Sequence, residues 1–248
     1  RYFSIKSFFD PFKTLIGCVQ ALRQLYKLYP DIVFSKGGYV SFPVLFAARI
    51  LRIPIIIHES DSVPGKTNLW AAKFADKIAV SYPDAAHFFK GKDVDKKVVH
   101  TGNPIRRELL TPVVEGAADF LKLEPGIPTV LVLGGSQGSL IINDNILDAL
   151  SVLLERYQVI HQTGVKNFDI VTQTAKVILQ KNNFRHRYHP YDNLNILTLR
   201  MCAGVSNIVV SRAGSTIFEI AAWGIPSIVI PIRESNGDHQ RQNAFAYA

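Results

Sequence analysis

Residues 129–138 read TVLVLGGSQG, in which five β-branched or apolar residues run directly into three glycines around a serine and a glutamine. The run predicts a buried strand over residues 129–134, and the sequence after it predicts a long helix. A strand, a glycine turn and a helix are the repeating unit of parallel α/β sheets, in which ligands bind at the carboxyl ends of the strands. The stretch therefore predicts both the fold class and the place of a binding site.

The rest of the chain repeats this alternation of short apolar runs and helical stretches. Eight further strands are predicted, at residues 31–36, 54–59, 77–82, 98–101, 158–162, 184–188, 207–211 and 227–232. Runs that are apolar throughout are typical of parallel strands buried on both faces. The pattern lapses over residues 111–128, TPVVEGAADFLKLEPGIP, which hold three prolines and two glycines. We therefore expect two doubly wound domains, at residues 1–110 and 111–248.

Composition excludes several classes of protein. A chain of 248 residues that is 48% hydrophobic and 19% charged can bury a sizeable core, unlike disordered or collagen-like chains. Its two cysteines, Cys18 and Cys202, encode neither a disulfide framework nor a zinc site. The most apolar stretch, residues 40–57, is interrupted by prolines and arginines, so no membrane span is expected. The opening RYFSIKSFFD shows no initiator methionine and no signal pattern, which predicts a chain cut from a longer protein.

Charge is divided unevenly along the chain. Residues 1–110 carry 17 basic and nine acidic side chains, whereas residues 111–248 carry 11 of each. A basic first half indicates an anionic partner, which composition leaves open as a phospholipid surface, a phosphorylated substrate or nucleic acid. A solvated basic surface without a partner fits the same count.

The segment of residues 7–29 has apolar side chains at helical spacing with basic residues among them. The apolar positions are Phe9, Phe12, Leu15, Ile16, Val19, Leu22 and Tyr26, and the basic ones are Lys13, Arg23 and Lys27. We expect a helix whose apolar stripe packs on the sheet. The alternative is a helix that lies in a membrane interface.

The glycine stretch is the strongest candidate for a phosphate site. The backbone N–H groups around Ser136 and Gln137 gather at a helix N-terminus, where the helix dipole favours an anion. The sequence matches neither a Walker loop nor GxGxxG, which argues against mononucleotide hydrolysis and a standard NAD site. A tight turn alone would explain Gly134 and Gly138 but not the polar pair between them.

Further candidates follow other strands. Glu219 is predicted near the start of a helix that begins around Ser215, where it could accept hydrogen bonds from ribose hydroxyls or simply complement the helix dipole. Residues 237–244, GDHQRQNA, supply amides suited to a sugar.

His58, Glu59 and Asp61 emerge from a buried strand as possible acids or bases, and HESD provides no convincing metal ligand set. Arg106, in GNPIRRE, could bind a phosphate.

Taken together in order, these motifs resemble the MurG family. The similar segments are SKGGYVS, IIIHES, VPGKTN, TGNPIR, LGGSQGS, VVSRAG, EIAAWGIPSIVIP and DHQRQNA. The resemblance implies a twin Rossmann-like GT-B fold with two parallel-sheet domains facing a cleft. It also implies transfer of N-acetylglucosamine from UDP-N-acetylglucosamine to the undecaprenyl-diphosphate-linked N-acetylmuramoyl-peptide, an inverting step of peptidoglycan synthesis at the cytoplasmic face of the bacterial plasma membrane. The implied partners are these two substrates and an anionic membrane surface, with no nucleic acid, metal or cofactor.

The same resemblance assigns residues to the donor site. Ser136 would contact the diphosphate, Arg106 would bind the donor near the cleft, and Glu219 would hold the ribose. Gln240 would contact the sugar, and Gln137 and Asn243 are further candidates for binding the substrate. Ser215, Thr216, Ile217 and Phe218 would line the uridine pocket through backbone groups.

The chain also departs from the family pattern. HESD replaces the usual HEQN, so Asp61 stands where the family has an asparagine that contacts the donor. The family's first βα unit, with its GGTGGH loop and a candidate histidine base, is missing here, which leaves His58 and Glu59 as the candidate bases. The alternative functions are a transferase acting on diacylglycerol or another lipid acceptor, and a non-catalytic module that binds a UDP-sugar.

Overall fold

The computed structural model describes residues 10–91, 93–135, 138–232 and 238–248. The chain divides into two compact units, Arg1–Asn103 and Pro104–Ala248. The division falls before the predicted limit at residue 110, because Leu109 is fully buried in the core of the second unit. Trp223 Nε1 also donates a 2.7 Å hydrogen bond to the Leu109 carbonyl. Residues 104–110 therefore belong with the sheet that follows them.

The first unit is a four-stranded parallel sheet in the order β1-β2-β3-β4. Its strands are β1 (Val33–Ser35), β2 (Ile55–Glu59), β3 (Lys77–Val80) and β4 (Val98–His100), and its helices are α1 (Asp10–Leu28), α2 (Phe42–Ile50) and α3 (Lys66–Ala71). Short 3₁₀ turns lie at Tyr39–Ser41 and Pro83–Phe88. Ile57 pairs with Ile78 across β2 and β3, and both are fully buried. The sequence order of the strands is thus also their spatial order.

The second unit is a five-stranded parallel sheet in the order β7-β6-β5-β8-β9. Its strands are β5 (Thr129–Leu133), β6 (Gln158–Gln162), β7 (Tyr188–Tyr191), β8 (Ile208–Ser211) and β9 (Ser227–Val229). Its helices are α4 (Ala117–Phe120), α5 (Leu140–Arg156), α6 (Phe168–Ile178), α7 (Ile196–Val205), α8 (Thr216–Trp223) and α9 (His239–Tyr247), with 3₁₀ turns at Arg107–Leu110 and Arg185–Arg187. The chain winds outward from β5 to β7 and then returns to the other side of β5.

Strand β5 is buried on both faces because helices cover both sides of this sheet. Val130 and Val132 point into one cluster with residues of α5 and α6. Leu131 and Leu133 point into the opposite cluster, with Leu199 of α7 among its members. The alternation has the period of two expected for a strand, and every residue of β5 is buried. The predicted α/β class with two parallel sheets is confirmed.

All nine predicted strands are present, but one prediction of position was wrong. The strand expected at residues 184–188 lies at Tyr188–Tyr191, after a 3₁₀ turn over Arg185–Arg187. Arg187 is buried in this turn and forms two hydrogen bonds with the Glu124 carboxylate, at 2.7 and 3.0 Å. The ion pair thus uses part of the segment that was predicted to form the strand.

The prediction that the stripe of α1 packs on the sheet was also wrong. The helix packs against α2, where Gly17 faces Pro43, and Leu25 is its buried residue. Phe12, Leu15, Ile16, Val19 and Tyr26 are 57–73% exposed, and Phe9 lies outside the described residues. In the part of the chain that the structure describes, no helix combines the length and apolar character needed to span a membrane.

Candidate functional site

The order of strands in the second unit places a ligand site between β5 and β8. The two strands are neighbours, and their connections run to opposite sides of the sheet. Such a point of reversal opens a crevice at the carboxyl ends of the strands, which is where open α/β sheets bind ligands. The 134–138 loop follows β5, and the turn from Arg212 to Ser215 follows β8. Ser136 and Gln137, the predicted diphosphate contacts, lie outside the described residues.

A cavity of about 720 Å³ opens at this edge of the second unit. Its walls include Arg106, Gly135, Gln162, Asn193, Thr216 and Glu219. Three of these, Arg106, Thr216 and Glu219, were predicted as donor-binding residues. The volume lies within the usual range for small-molecule sites.

Glycine is required at the far end of the 134–138 loop. Gly138 has a left-handed backbone with φ of 75°. A Cβ at this position would lie 2.1 Å from the carbonyl oxygen of Thr163. Both the backbone conformation and the close approach therefore exclude a side chain, and the loop lies directly on the end of β6.

Arg212 is a site residue that the sequence analysis did not identify. Its Nη1 lies 3.8 Å from the position that a Cβ would take on Gly135, so the guanidinium is next to the glycine loop. Its Nε is buried with no hydrogen-bond partner among the described residues. Burial lowers the pKa of this guanidinium. A half-buried cation beside a glycine turn is suited to an anionic ligand. Its position directly after β8, in SRAG, was the available signal.

Arg106 and Glu219, predicted separately, meet in the structure. Arg106 Nη2 lies 3.5 Å from Glu219 Oε1. The Glu219 side chain is 17% exposed, whereas that of Arg106 is 54% exposed. Burial raises the pKa of Glu219, and the charge of Arg106 partly opposes this rise. The pair presents a carboxylate acceptor and a cation on the wall of the same cavity.

The four residues predicted to line a uridine pocket divide into two groups. Ser215 and Thr216 lie on the cavity wall at the start of α8. Ile217 is fully buried, and its N–H donates to the Gly214 carbonyl at 3.2 Å. The N–H of Phe218 likewise donates to the Ser215 carbonyl at 3.2 Å. The N–H groups of Ile217 and Phe218 are thus engaged in hydrogen bonds within the first turn of α8.

Three further polar residues of the cavity were missed. Gln162 Nε2 donates to Asn193 Oδ1 at 3.0 Å, which joins the ends of β6 and β7. Asn195, also on the wall, caps α7 by accepting from the Thr198 N–H at 2.9 Å. The carboxyl end of a strand was the available signal, but β7 had been placed too early in the sequence.

The amides of α9 that were predicted to contact the sugar form internal bonds. Asn243 is 2% exposed, and its Nδ2 donates to the Ala213 carbonyl at 3.1 Å. Gln240 Oε1 accepts from the Ile232 N–H at 3.1 Å. The Asn243 bond holds the helix against the turn after β8, and the Gln240 bond holds it against the segment after β9. Asn243 thus has a supporting position.

In the first unit, Glu59 holds together the loop that contains Asp61. Its Oε1 accepts from the Asp61 N–H at 3.0 Å. Its Oε2 accepts from the Gly65 N–H at 3.0 Å and from Asn68 Nδ2 at 2.8 Å. A carboxylate that is buried and accepts three hydrogen bonds is suited to fixing a loop, and this geometry favours that role over the predicted one of a base.

His58, the other candidate base, is 2% exposed. Its Nε2 lies 3.1 Å from the Gly102 carbonyl, which requires a proton on that nitrogen. Burial lowers the pKa of His58, and the bond to Gly102 partly opposes this shift. The ring thus fixes the last residues of the first unit.

Two family models match the chain. The glycosyltransferase family 28 N-terminal domain matches residues 1–80, and the family 28 C-terminal domain matches residues 129–247. The chain belongs to glycosyltransferase family 28.

Two similar proteins carry the same enzyme name. The chain is 39% identical, over 98% of its length, to the UDP-N-acetylglucosamine--N-acetylmuramyl-(pentapeptide) pyrophosphoryl-undecaprenol N-acetylglucosamine transferase of Treponema denticola, and spans 63% of that protein. It is 38% identical, over 96% of its length, to the enzyme of the same name from Clostridium novyi, and spans 64% of it. The chain thus spans less than two thirds of these family 28 relatives.

Solved structures agree with the family 28 assignment. The crystal structure of Acinetobacter baumannii MurG matches with a TM-score of 0.68 and 27% identity, over 95% of this chain and 62% of that one. UDP-GlcNAc 2-epimerase from Neisseria meningitidis, bound to UDP-GlcNAc, matches with a TM-score of 0.61 and 14% identity, over 93% of this chain and 67% of that one. The second match shows the fold alone. The resemblance to the MurG family is confirmed, and the residue assignments stay predictions.

Proposed function

We propose that this chain is an inverting hexosyltransferase that moves N-acetylglucosamine from UDP-N-acetylglucosamine to the undecaprenyl-diphosphate-linked N-acetylmuramoyl-peptide. The enzyme name carried by the family 28 relatives supports this activity. One structural observation carries the proposal for the donor: Gly135 and Gly138, Arg212 and the pair of Arg106 and Glu219 all lie at the carboxyl edge of one sheet.

These residues suit the separate parts of a nucleotide sugar. The 134–138 loop at the start of α5 and the Arg212 guanidinium would bind the diphosphate, since both favour an anion. The Glu219 carboxylate would accept from ribose hydroxyls, with Arg106 keeping it charged. Ser215 and Thr216 would line the wall next to the base.

The reaction is a displacement at the anomeric carbon of N-acetylglucosamine. The 4-hydroxyl oxygen of the acceptor forms the new bond to this carbon, and the bond from the carbon to the UDP oxygen breaks. The electron pair leaves with UDP, and the hydroxyl proton passes to a base. Dipoles and cations already in place at the diphosphate stabilise the charge that develops there. The chain's contribution to catalysis is thus to hold and stabilise the leaving group.

We also propose that the first unit docks on an anionic membrane at the cytoplasmic face. Five side chains of the predicted apolar stripe are exposed on α1, which also exposes Lys13, Arg23 and Lys27. Apolar side chains enter the interface while basic ones meet anionic lipid, which is the pattern of an interfacial helix. The sequence had left this open for α1 as the alternative of a helix that lies in a membrane interface.

A product assay tests the proposed activity. The full chain is incubated with labelled UDP-N-acetylglucosamine and either the undecaprenyl-diphosphate-linked muramoyl peptide or diacylglycerol, and the products are separated by thin-layer chromatography. Label in the first acceptor alone supports the proposal. Label in diacylglycerol would indicate the alternative transferase, and UDP binding without any product would indicate a non-catalytic module.

A further inference from the structure

A line of buried hydrogen bonds lies behind the 134–138 loop. The Tyr188 hydroxyl lies 2.9 Å from His161 Nδ1, and His161 Nε2 lies 3.1 Å from Asn143 Oδ1. Asn143 Nδ2 donates to the Thr163 carbonyl at 3.1 Å. His161, Asn143 and Thr163 are all 0% exposed, so each polar group depends on its protein partner.

The geometry determines which atom donates at each step. Asn143 donates through its amide nitrogen to a carbonyl, so its oxygen is the atom that faces His161. An amide oxygen only accepts, and His161 must therefore carry a proton on Nε2. Nδ1 of the neutral ring is then an acceptor for the Tyr188 hydroxyl. Burial lowers the pKa of His161 to about 4, which is consistent with a neutral ring.

The Thr163 carbonyl at the end of this line touches the loop itself. Gly138 packs against it at a distance that leaves no room for a Cβ. Asn143 lies in the first turn of α5, and its N–H donates to the Ser139 carbonyl at 2.9 Å. The line thus connects the start of α5 and the far end of the loop to the carboxyl end of β6.

We propose that His161 is a positioning residue for the diphosphate-binding loop. Its Nε2–H orients the Asn143 amide, and this amide holds the first turn of α5 at the Thr163 carbonyl, against which Gly138 of the loop packs. The inference rests on the proposed function in that the loop is taken to bind the donor diphosphate. His161 is buried beneath the loop and acts through Asn143, not by contact with the ligand.

This role requires a donor at one defined position. If nothing donates to Asn143 Oδ1, this buried oxygen is left without a partner, and the side chain must shift to recover one, which disturbs its Nδ2 bond to the Thr163 carbonyl. The start of α5 would then lose its tie to β6. A side chain of similar volume without that donor does not meet the requirement.

Two variants of the full chain test separately a donor at the position of Nε2 and a donor at the position of Nδ1. The amide nitrogen of His161→Gln can reach the position of Nε2 and donate to Asn143, whereas the shorter amide of His161→Asn reaches only the position of Nδ1. Glu124→Gln is the control, because it weakens the pairing with Arg187 just before the amino end of β7, whereas the loop lies at the carboxyl ends of the strands. It therefore destabilises the second unit without touching the loop.

Two measurements are made on each variant: the dissociation constant for UDP by calorimetry, and amide hydrogen exchange over residues 134–145 without ligand. We expect His161→Asn to weaken UDP binding about tenfold, the size of one buried hydrogen bond, and to speed exchange over that segment. His161→Gln should keep the dissociation constant and the exchange rate close to those of the wild-type chain. Glu124→Gln should lower the melting temperature and leave both unchanged.

Unchanged UDP affinity and unchanged exchange in His161→Asn would overturn the inference, as would an equal loss of affinity in Glu124→Gln. A nitrogen NMR spectrum showing the His161 proton on Nδ1 would also overturn it. If the wild-type chain binds no UDP, the proposed function fails separately. Faster exchange in His161→Asn would then still support the positioning of the loop, and unchanged exchange would overturn it.

Discussion

Arg106 Nη2 lies 3.5 Å from Glu219 Oε1, so a residue just after the division between the two units meets the first turn of α8. The carboxylate is mostly buried, and its pKa is raised by that burial. The guanidinium favours the charged carboxylate, and a charged carboxylate is the stronger acceptor for ribose hydroxyls. The pair therefore links the proposed ribose site to the segment that leads into the second unit.

Removing the Glu219 carboxylate should weaken nucleotide binding. We expect Glu219→Ala to raise the dissociation constant for UDP about tenfold or more, because the ribose hydroxyls lose their acceptor. Glu219→Gln keeps one acceptor oxygen and should lose less. Calorimetry with UDP measures both. Glu155→Ala, an exposed position near the far end of α5, is the control, and unchanged affinity in Glu219→Ala would remove this residue from the ribose site.

The guanidinium of Arg212 should matter for the phosphates and not for the nucleoside. We expect Arg212→Ala to weaken binding of UDP about tenfold, the size of a hydrogen bond to a charged group, with little effect on uridine. Titrations with the two ligands give the comparison. Arg156→Ala removes the same charge at the exposed end of α5 and should change neither. An equal loss for UDP and uridine would contradict a phosphate contact.

Substitution by alanine should destabilise the fold more at Gly138 than at Gly126, which has a similar φ but open surroundings. Gly138 and Gly126 have φ of 75° and 77°, yet a Cβ on Gly126 would meet nothing within 4 Å. A left-handed backbone costs a non-glycine residue roughly 1–2 kcal/mol, and Gly126→Ala should lose about that much stability. Gly138→Ala must also displace the Thr163 carbonyl. Thermal melts and UDP titrations of both variants check this, and equal losses would argue against the close packing of the loop.

The exposed stripe of α1 should govern attachment to membranes. We expect the double variant Leu15→Ser with Val19→Ser to bind vesicles of phosphatidylglycerol and phosphatidylcholine less tightly, because less apolar surface can enter the interface. Raised salt should weaken the wild-type chain as well, since Lys13, Arg23 and Lys27 act through charge. Co-sedimentation measures both effects. Val177→Ser, 73% exposed on α6, is the control, and equal binding by all three proteins would exclude α1 as the attachment site.

The pairing of Glu124 with Arg187 should make the stability of the fold decrease at acid pH. Hydrogen bonds from Arg187 and His186 lower the pKa of Glu124 to about 2, below the ordinary value of 4.5. The folded state then holds the proton less tightly than the unfolded chain, so the carboxylate stabilises the fold above about pH 4.5. This contribution is lost as the pH falls towards 2. Urea melts should show Glu124→Gln less stable at neutral pH, with a gap that closes over this window.

Much of the architecture could be predicted because buried parallel strands have a local signature. The runs at β5 and β8 are apolar except for Thr129 and Ser211, which is typical of strands covered on both faces. The glycines of the 134–138 loop likewise indicated a turn into a helix. The position of β7 could not be predicted, because Arg187 enters the turn before it to meet Glu124, which lies far away in the sequence.

The site was only partly predictable for the same reason. Arg106 and Glu219 were identified one at a time, and nothing near either residue in the sequence indicates that they meet. Arg212 and Asn193 were missed because their roles depend on which strands are neighbours. His161 reads as an ordinary polar residue in a strand until the structure shows its bonds to Tyr188 and Asn143.

The sequence by itself determined the α/β class, the strands other than β7, the glycine loop and the family motifs, because backbone conformation and the burial of a strand follow from neighbouring residues. Only the tertiary structure decided that β8 lies beside β5, which side chains share the resulting crevice, and that α1 leaves its apolar stripe exposed. Strand order and the covering of a helix face are set by contacts between distant segments. The same helical periodicity arises whether a stripe is covered by protein or not, so it leaves that choice open.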